Sequence, residues 1–338
     1  IDELIPSAHR GAADIAINGS WWIGTLIGAL ASVPLLNGSF ISPSLGWRLA
    51  FALGAILAIA VLAVRRGIPE SPRWLLTHGK YDEAERIVAG IEENVRKHTG
   101  HELPPPAHKK ITFDSSKSHG IVDTVRTMVK TYPKRTILVM TLMITQAFLY
   151  NAVFFTQGLT LTTFFKVPPG NVGFYIIPFA IGNFLGALTL SRFFDSVGRR
   201  IMISACYIVS GLLLIVTTVL FLNNSLTATS IALCWSAMFF FASAGASAAY
   251  LTVSEIFPLE TRASAIAVVY AVGTLVGGAI APLVYGHLIA TGSREMLARG
   301  WLFGAALMIV GGIVEIVLGV DAERKSLEDI AAPLTQAA

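Results

Sequence analysis

Eight long apolar stretches dominate this chain, and their interiors contain almost no Lys or Arg. A helix that crosses a bilayer needs about 20 mostly apolar residues, whereas membrane β-strands show about 10 residues of alternating polarity, a pattern missing from this sequence. Only 14% of the residues are charged, against about 25% in a soluble domain. We therefore predict an all-α membrane protein, a polytopic helical bundle. Its expected spans are 12–36, 47–64, 136–157, 171–190, 201–222, 229–253, 263–290 and 300–319.

The basic residues predict the orientation of the bundle. If successive connections alternate between the two sides of the membrane, 21 of the 25 Lys and Arg residues fall on one side. The four on the opposite side are Arg48, Lys166, Arg294 and Arg299. Because cytoplasmic loops carry an excess of Lys and Arg, we expect the crowded side to be cytoplasmic. Both ends of this chain would then be cytoplasmic, in a multi-pass protein of the cell membrane.

One charged motif, Glu-x-x-Pro-x-x-x-Arg followed by a small residue, occurs twice. It stands at 3–11 and again at 255–263, with its basic residue at Arg10 and Arg262. Six predicted spans separate the copies and two follow the second. A six-span repeat would place each copy after its fourth span, so we expect eight of twelve spans here, with four preceding residue 1. The alternative is an eight-span protein with a chance repeat.

This division predicts four parts of the chain. They are the last two spans of a first half (1–68), a cytoplasmic loop (69–135), a six-span second half (136–320) and a cytoplasmic tail (321–338). Within the loop, apolar residues recur at helical spacing over 80–97 and over 121–132. We expect two amphipathic helices there, along the membrane face. The segment "HELPPPAHKK" between them is interpreted as a linker.

Four charged segments stand at the ends of predicted spans. They are "PESPRWLLTHGKYDEAERI" from Pro69, "RFFDSVGRR" from Arg192, "SEIFPLETRA" from Ser254 and "AERKSLEDI" from Ala322. In this order they resemble the segment after helix six, the loop between helices eight and nine, the segment after helix ten and the tail motif of the major facilitator superfamily. Within it, the sugar-porter and metabolite–proton symporter branch is the most similar. The resemblance covers essentially the whole chain.

The charged residues of these segments are candidates for a gate. Opposite charges on neighbouring helices can form pairs when one end of a transporter closes, because desolvation and attraction nearly cancel and small motions shift the balance. Alternatively, they are ordinary anchors that fix helix ends at the membrane interface. The resemblance implies the gating role for Glu3, Arg10, Glu70, Arg73, Asp195, Arg199, Arg200, Glu255 and Arg262.

Polar side chains inside the predicted spans are candidates for a substrate site. Gln146 and Tyr150 lie one turn apart in the third span, with Asn151 beside them. Amides and phenols offer donors and acceptors without charge, which suits a neutral, hydroxyl-rich solute. Interhelical hydrogen bonding or packing is the alternative role. The candidate lining residues are Gln146, Tyr150, Asn151, Phe154, Tyr175, Asn183, Trp235 and Tyr250.

The third span also resembles the seventh helix of sugar porters. That helix has a Gln pair followed, five positions after the second Gln, by Asn-Ala-Val-Phe. Gln146 and residues 151–154 match, whereas Thr145 and Leu149 depart from the pattern. The resemblance implies a sugar as one expected substrate class.

Ionisable residues and glycines inside the spans complete the list of candidates. Asp14 is expected to pair with Arg10, Glu315 to reach the interface and His287 to lie near the outer end, although each could instead relay protons. Glycines at 24, 28, 182 and 186 are expected to permit close helix approach. The run from Gly273 to Pro282 is expected to interrupt the seventh span.

We therefore predict a secondary transporter, not an enzyme. It would move a small polar metabolite, sugar-like or an organic acid, by alternating access coupled to protons. We expect no catalytic residues, cofactor, metal, nucleic acid or obligate protein partner, and a lipid bilayer around the spans. The alternatives are a transport-inactive sensor or scaffold on the same fold, and a polytopic membrane enzyme. The sequence lacks the G-x-S-x-G and H-E-x-x-H motifs and a Cys/His cluster that such an enzyme could use.

Overall fold

The structure is a computed structural model that describes residues 5, 8–36, 38, 41–67, 69–100, 120–332 and 334. Glu3 and the predicted linker at 101–110 lie outside these residues. The described part consists of helices and their connections, without a strand. The α-helices are α1 (Arg10–Gly19), α2 (Trp21–Leu36), α3 (Pro43–Arg65), α4 (Pro72–Thr77), α5 (Tyr81–Thr99), α6 (Ile121–Lys130), α7 (Pro133–Val153), α8 (Gln157–Phe165), α9 (Val172–Leu190), α10 (Phe193–Ser196), α11 (Arg199–Leu222), α12 (Ala228–Ile256), α13 (Leu259–Gly273), α14 (Ala281–Ala290), α15 (Arg294–Leu318) and α16 (Leu327–Ile330).

Eight segments of the described residues are long and apolar enough to cross a membrane. They are Arg10–Leu36, Ser44–Ala63, Pro133–Phe165, Pro169–Ser196, Arg199–Leu222, Ala228–Ile256, Leu259–Ala290 and Arg294–Leu318. Each overlaps one predicted span, so the number and order of the spans are confirmed. All eight begin before the predicted residue, and at two of them, α12 and α15, a side-chain cap starts the helix in the polar turn that precedes the apolar run. The hydroxyl of Ser293, for example, accepts the Met296 N–H and starts α15 a turn and a half early.

The third to eighth spans form a bundle around one buried core. α11 packs along α15 and α12, while α12 also packs on α9 and α7. The largest buried side chains of this core include Trp235, Trp301 and Phe179. The first span joins the bundle through contacts of α2 with α9 and of α1 with α12, and the second span packs on α2.

Four of the described spans are not one continuous α-helix. The first breaks at Ser20 between α1 and α2, and the fourth turns between α9 and α10. The third span breaks between Val153, the end of α7, and Gln157, the start of α8. The seventh span contains a π-helical segment, Thr274–Ile280, between α13 and α14. The glycine run of the seventh span therefore interrupts the regular helix, as predicted, and π-helical turns are frequent at functional sites.

The predicted close-packing glycines divide into two groups. A Cβ on Gly182 would lie 3.0 Å from the Ser236 carbonyl oxygen, and a Cβ on Gly186 would lie 2.7 Å from the Phe240 Cα, so both permit close approach of α9 and α12. Gly24 and Gly28, in contrast, have no described atom within 4 Å of such a Cβ. The prediction for these two is wrong for contacts within the described residues, because α2 turns this face away from α9.

The loop between the second and third spans contains the two predicted amphipathic helices, α5 and α6. α6 buries Thr124 and Met128 against α7 and α13, and leaves Val122 and Val129 exposed. Ser71 begins α4 by accepting the Trp74 N–H, with Pro72 at the first helical position. The division of the chain into two halves joined by this loop stays a prediction.

Candidate functional site

A cavity of about 1030 Å³ lies between the first, third, sixth and seventh spans. Its wall combines amide, phenol and hydroxyl groups with indole rings and small apolar side chains. Sites for small molecules have this composition, mostly apolar with a few placed polar groups. The lining residues are Asn18, Trp21, Trp22, Met143, Gln146, Ala147, Tyr150, Asn151, Phe155, Ala246, Ser247, Tyr250, Tyr270, Ala271, Gly273, Thr274, Leu275, Gly278 and Ala279.

The third span contributes the polar stripe of this wall. Gln146, Tyr150 and Asn151 lie on one side of α7 because the helix repeats every 3.6 residues. The Asn151 Nδ2 donates to the Ala147 carbonyl oxygen, 2.7 Å away, which fixes the amide against its own helix. The Gln146 Nε2 has the Met143 sulfur, a weak acceptor, at 3.9 Å. Both amides therefore retain hydrogen-bonding capacity for a solute.

An aromatic cluster stands behind the cavity and attaches the first span to the bundle. The Trp22 ring is 3% exposed and has its centroid 5.3 Å from Phe154, 5.6 Å from Phe179 and 6.0 Å from Tyr150. Phe154 also stacks on Phe179 at 5.4 Å. Each such pair contributes about 0.5–1.5 kcal/mol beyond area burial. These ring contacts hold the first span against the third and fourth spans on this side of the cavity.

Four of the eight predicted lining residues border the cavity, namely Gln146, Tyr150, Asn151 and Tyr250. The other four lie elsewhere. Phe154 belongs to the aromatic cluster, and the Tyr175 carbonyl oxygen is 3.4 Å from the Gln157 Nε2. Asn183 is fully buried and donates to the Phe179 carbonyl oxygen at 2.8 Å, while Trp235 packs edge-on against Trp301 at 6.0 Å. Solute binding by any of the eight stays a prediction.

The sequence analysis missed several polar residues of the wall. Asn18 lies in the first span and carried the same signal as Asn151, an amide inside an apolar stretch. Ser247, Tyr270 and Thr274 also line the cavity. Hydroxyls are common in packed helices, so their residue types alone did not distinguish them.

A cluster of buried charges joins the helix ends on one side of the bundle. We call Arg10, Asp195, Arg199 and Glu255 the charge cluster. Arg199 donates through Nε and Nη2 to the two carboxylate oxygens of Glu255, both at 3.1 Å, and through Nη1 to the Asp195 Oδ1 at 2.7 Å. The side chains of Arg199 and Glu255 are 2% and 1% exposed. Such a two-pronged guanidinium–carboxylate contact is among the strongest polar interactions in proteins.

The charge cluster also fastens the first span. The Arg10 Nη1 donates to the Glu255 Oε1 at 3.1 Å, so the basic residue of the first motif copy pairs with the acidic residue of the second. The backbone N–H groups of Gly11 and Ala12 donate to the Asp195 carboxylate at 3.2 and 2.6 Å. An acidic group at the start of α1 is favoured by the free N–H groups and the helix dipole. Arg10 thus pairs with Glu255, and Asp14 accepts a hydrogen bond from the Asn18 Nδ2 at 3.3 Å.

In the first copy of the motif, the small residue that follows Arg10 is Gly11, and packing explains why it has to be small. A Cβ on Gly11 would overlap the guanidinium of Arg199. That guanidinium cannot move aside freely, because Asp195, Glu255 and the Phe194 carbonyl oxygen hold it. Glycine at this position therefore permits the first span to approach the charge cluster.

The C-terminal tail crosses the same end of the bundle. The Lys325 carbonyl oxygen accepts a hydrogen bond from Arg10 at 3.2 Å, and the Glu323 carboxylate accepts the Arg199 backbone N–H at 3.4 Å. The Arg73 Nε donates to the Glu328 carboxylate at 2.9 Å. The tail motif thus supplies acceptors that the sequence analysis did not assign to the gate.

The remaining predicted gate residues take different positions. Glu70 is exposed and accepts the Ser71 N–H at 3.2 Å, outside the charge cluster. Arg200 donates through Nε to the Ile316 carbonyl oxygen at 2.7 Å. Arg262 is 5% exposed, and its positive charge acts on Glu328. Gating by these residues stays a prediction.

The contact between Arg73 and Glu328 should depend on pH. Burial alone would raise the pKa of Glu328, but the neighbouring charges of Arg73 and Arg262 hold that pKa below its ordinary value. A lowered pKa means that the pair stabilises the folded protein above the ordinary glutamate value of about 4.3, and that this contribution is lost as the pH falls through the lowered value. We expect E328Q to be less stable at neutral pH, by on the order of 1 kcal/mol, and to lose this difference in acid.

Thermal unfolding of the purified protein across a pH series measures this effect. E295Q is the matched control, because Glu295 pairs with Arg299 on the surface, where both side chains are 68% exposed. A difference between parent and E328Q that persists unchanged into acid would contradict the prediction.

Comparisons with known proteins agree with this architecture. Residues 1–332 match the family model described as "Sugar (and other) transporter". The niacin transporter NiaP of Acinetobacter baylyi is 24% identical over 344 residues, covering 98% of this chain and 70% of the relative. The organic cation/carnitine transporter 7 of Arabidopsis thaliana is 24% identical over 376 residues, covering 97% and 70%. Among solved structures, the major facilitator superfamily proton:xylose symporter XylE, bound to 6-bromo-6-deoxy-D-glucose, superposes with a TM-score of 0.73 at 19% identity, covering 97% of this chain and 68% of that one.

The spans and the structural likeness together define a multi-pass membrane protein with the major facilitator fold. The chain belongs to the sugar (and other) transporter family. Family and fold are those of transporters, not of enzymes.

Proposed function

We propose that this protein is a secondary active transporter of the cell membrane that moves a small polar metabolite by alternating access. The observation that carries the proposal is that the cavity lies close to the charge cluster along the first span. Along α1, Arg10 of the charge cluster and Asn18 of the cavity wall are separated by a rise of about 12 Å. A solute site next to a closed end is the arrangement that alternating access requires. In this proposal the closed end is the cytoplasmic one.

The charge cluster would act as the gate. Its ion pairs and hydrogen bonds join the first span, the fourth to sixth spans and the tail. The cost of removing these charges from water offsets much of their mutual attraction. A moderate gain in binding energy elsewhere can therefore open the cluster, and its reassembly closes the cytoplasmic end again.

The substrate would be a sugar-like molecule or an organic acid. Gln146 and Asn151 would hydrogen-bond its hydroxyl or carboxyl oxygens, and rings such as Tyr250 would stack on its apolar face. One relative is a niacin transporter, which favours an organic acid, and one structural neighbour is a proton:xylose symporter, which favours a sugar. The latter also motivates the proposal that protons drive uptake.

Uptake of labelled pentoses, hexoses and nicotinate into proteoliposomes, with and without a pH gradient, tests the proposal. We expect at least one of these solutes to accumulate only when the gradient is imposed. Absence of uptake, together with thermal stabilisation by a solute, would instead favour the transport-inactive sensor.

Asn151→Ala tests the assignment of the cavity. Loss of one neutral hydrogen bond to the solute, about 0.5–1.5 kcal/mol, should raise KM by about 2- to 12-fold. Asn223→Ala is the matched control, because Asn223 is exposed in the turn after α11. Equal KM values for the two variants would contradict the role of Asn151.

A further inference from the structure

One acidic side chain is buried inside the eighth span and takes no part in the charge cluster. Glu315 is 1% exposed on α15, and its Oε2 has no hydrogen-bond partner among the described residues. It also forms no ion pair within the described part of the chain. The sequence analysis expected this side chain to reach the membrane interface. In the structure it stays buried instead. A lone carboxylate in such a place is costly to ionise, so the neutral acid is the favoured form.

The groups around Glu315 come from α11 and from the start of the tail. On α11, Arg200 and Tyr207 face it, and in the tail Asp321 lies nearby. The Arg200 guanidinium donates to the carbonyl oxygen of Ile316, the residue next to Glu315. The nearest cation is therefore bound to the backbone beside the carboxyl group and not to the carboxyl group itself.

We propose that Glu315 is a proton-binding site that controls the charge cluster. Glu315 holds its proton while the cluster is assembled. When the proton leaves to the cytoplasmic water, the carboxylate becomes a stronger acceptor than the Ile316 carbonyl, because it carries a full negative charge. Arg200 then leaves that carbonyl and pairs with Glu315.

The tail connects this exchange to the gate. The Gly319 N–H donates to the Glu315 carbonyl oxygen at 2.8 Å, and the chain continues from there to the Glu323 and Lys325 contacts with Arg199 and Arg10. Arg200 stays attached to α15 in this exchange, but its stem also packs at the start of the tail, where a Cβ on Gly319 would lie 2.8 Å from the Arg200 Cγ. Movement of the Arg200 side chain from Ile316 to Glu315 therefore shifts the tail. The tail contacts with the charge cluster then loosen, so release of the proton favours opening.

The protonation of Glu315 can be tested without transport. Infrared spectra of the purified full-length protein should contain the C=O band of a protonated carboxylic acid at neutral pH, and E315Q should lack it. E295Q is the control, since it makes the same substitution on the exposed end of the same helix. A band that E315Q retains, or its absence from the unsubstituted protein, would overturn the proposal.

The coupling between proton release from Glu315 and opening of the charge cluster rests on the proposed function. It is measured separately, as a distance between two spin labels. Spin labels at the exposed positions Arg66 and Ser196, with Cys206 and Cys234 replaced by Ala, report the separation of the second span from α10 in nanodiscs. We expect this distance to lengthen as the pH rises in the unsubstituted protein and to stay short in E315Q. In R200Q the transition should need a pH higher by about 1 unit or more, because the carboxylate has lost its cation.

The two readouts separate the possible failures. Lengthening with pH in E315Q would refute the switch, whatever the protein transports. A distance that ignores pH in every variant would refute the coupling to the gate, while the infrared band would still decide whether Glu315 binds a proton. If E315Q does not fold, R200Q retains Glu315 and tests the same exchange, with an unshifted transition as the contrary result.

Discussion

Replacing Arg199 by Ala should abolish solute uptake by the reconstituted protein. Arg199 binds Asp195 and Glu255 together, and both carboxylates are almost completely buried. Removing one partner of a buried pair costs about 3–5 kcal/mol, since the remaining charge stays in a poorly solvated place. At 1.4 kcal/mol per tenfold change, the closed state would lose population by about 10²- to 4 × 10³-fold. A transporter that cannot close one end cannot complete its cycle.

The measurement is initial uptake into proteoliposomes, normalised to the amount of protein that elutes as a single species in size-exclusion chromatography. Arg299→Ala serves as the control. Arg299 forms an exposed pair with Glu295 at the start of α15, whereas the tail that contacts the charge cluster follows the end of this helix. Arg199→Lys should retain partial uptake, since an ammonium keeps the charge but cannot form the two-pronged contact. Normal uptake by folded Arg199→Ala would refute the gate.

The membrane spans were the part of the fold that composition and length could determine. A run such as Ile201–Leu222 has to be a membrane-crossing helix, since no other element satisfies its backbone in lipid. The ends of the spans depended on features of single residues. The hydroxyl of Ser293 adds a turn and a half to α15, and the break after Val153 divides the third span. Neither is visible in average hydropathy.

The partners in the charge cluster could not be derived from the sequence. Sequence spacing suggested a local pair between Asp14 and Arg10, one turn apart. In the structure, Arg10 pairs with Glu255, which is 245 positions away. Helix packing brings the two motif copies together, and no local rule contains that information. The residue types of the charge cluster were predictable, whereas their pairing required the tertiary structure.

For the cavity wall, too, some residues could be identified from the sequence and others only from the tertiary structure. Amides inside apolar spans are costly, so Gln146 and Asn151 could be identified from their residue type and position. Aromatic residues gave a weaker signal, because the same side chains build cores. Trp235 is buried in the core and the half-buried Phe154 packs against it, while Tyr250 lines the cavity. Only the packing of the spans separates these roles.

The contact between the third and seventh spans requires glycine at position 277, and Gly277→Ala should damage it. A Cβ there would lie 2.5 Å from the Ala147 Cβ and 2.7 Å from the Phe148 backbone nitrogen. Alanine ordinarily favours a helix by about 1 kcal/mol over glycine. At this position the overlap should outweigh that preference, because the backbone of Phe148 cannot rotate away from the new methyl group as a flexible side chain could. Overpacking of this kind costs about 1–3 kcal/mol. Both spans line the cavity, so their separation should also weaken solute binding.

Gly286→Ala in the same span is the matched control, because no described atom lies within 4 Å of its added Cβ. We expect Gly286→Ala to match or exceed the parent in thermal stability, while Gly277→Ala unfolds at a lower temperature and shows a higher KM in uptake. The comparison cancels the intrinsic helix preference, since both variants make the same Gly→Ala change. Equal unfolding temperatures would show that the third and seventh spans can move apart without cost, and the π-helical segment would then not be fixed by this contact.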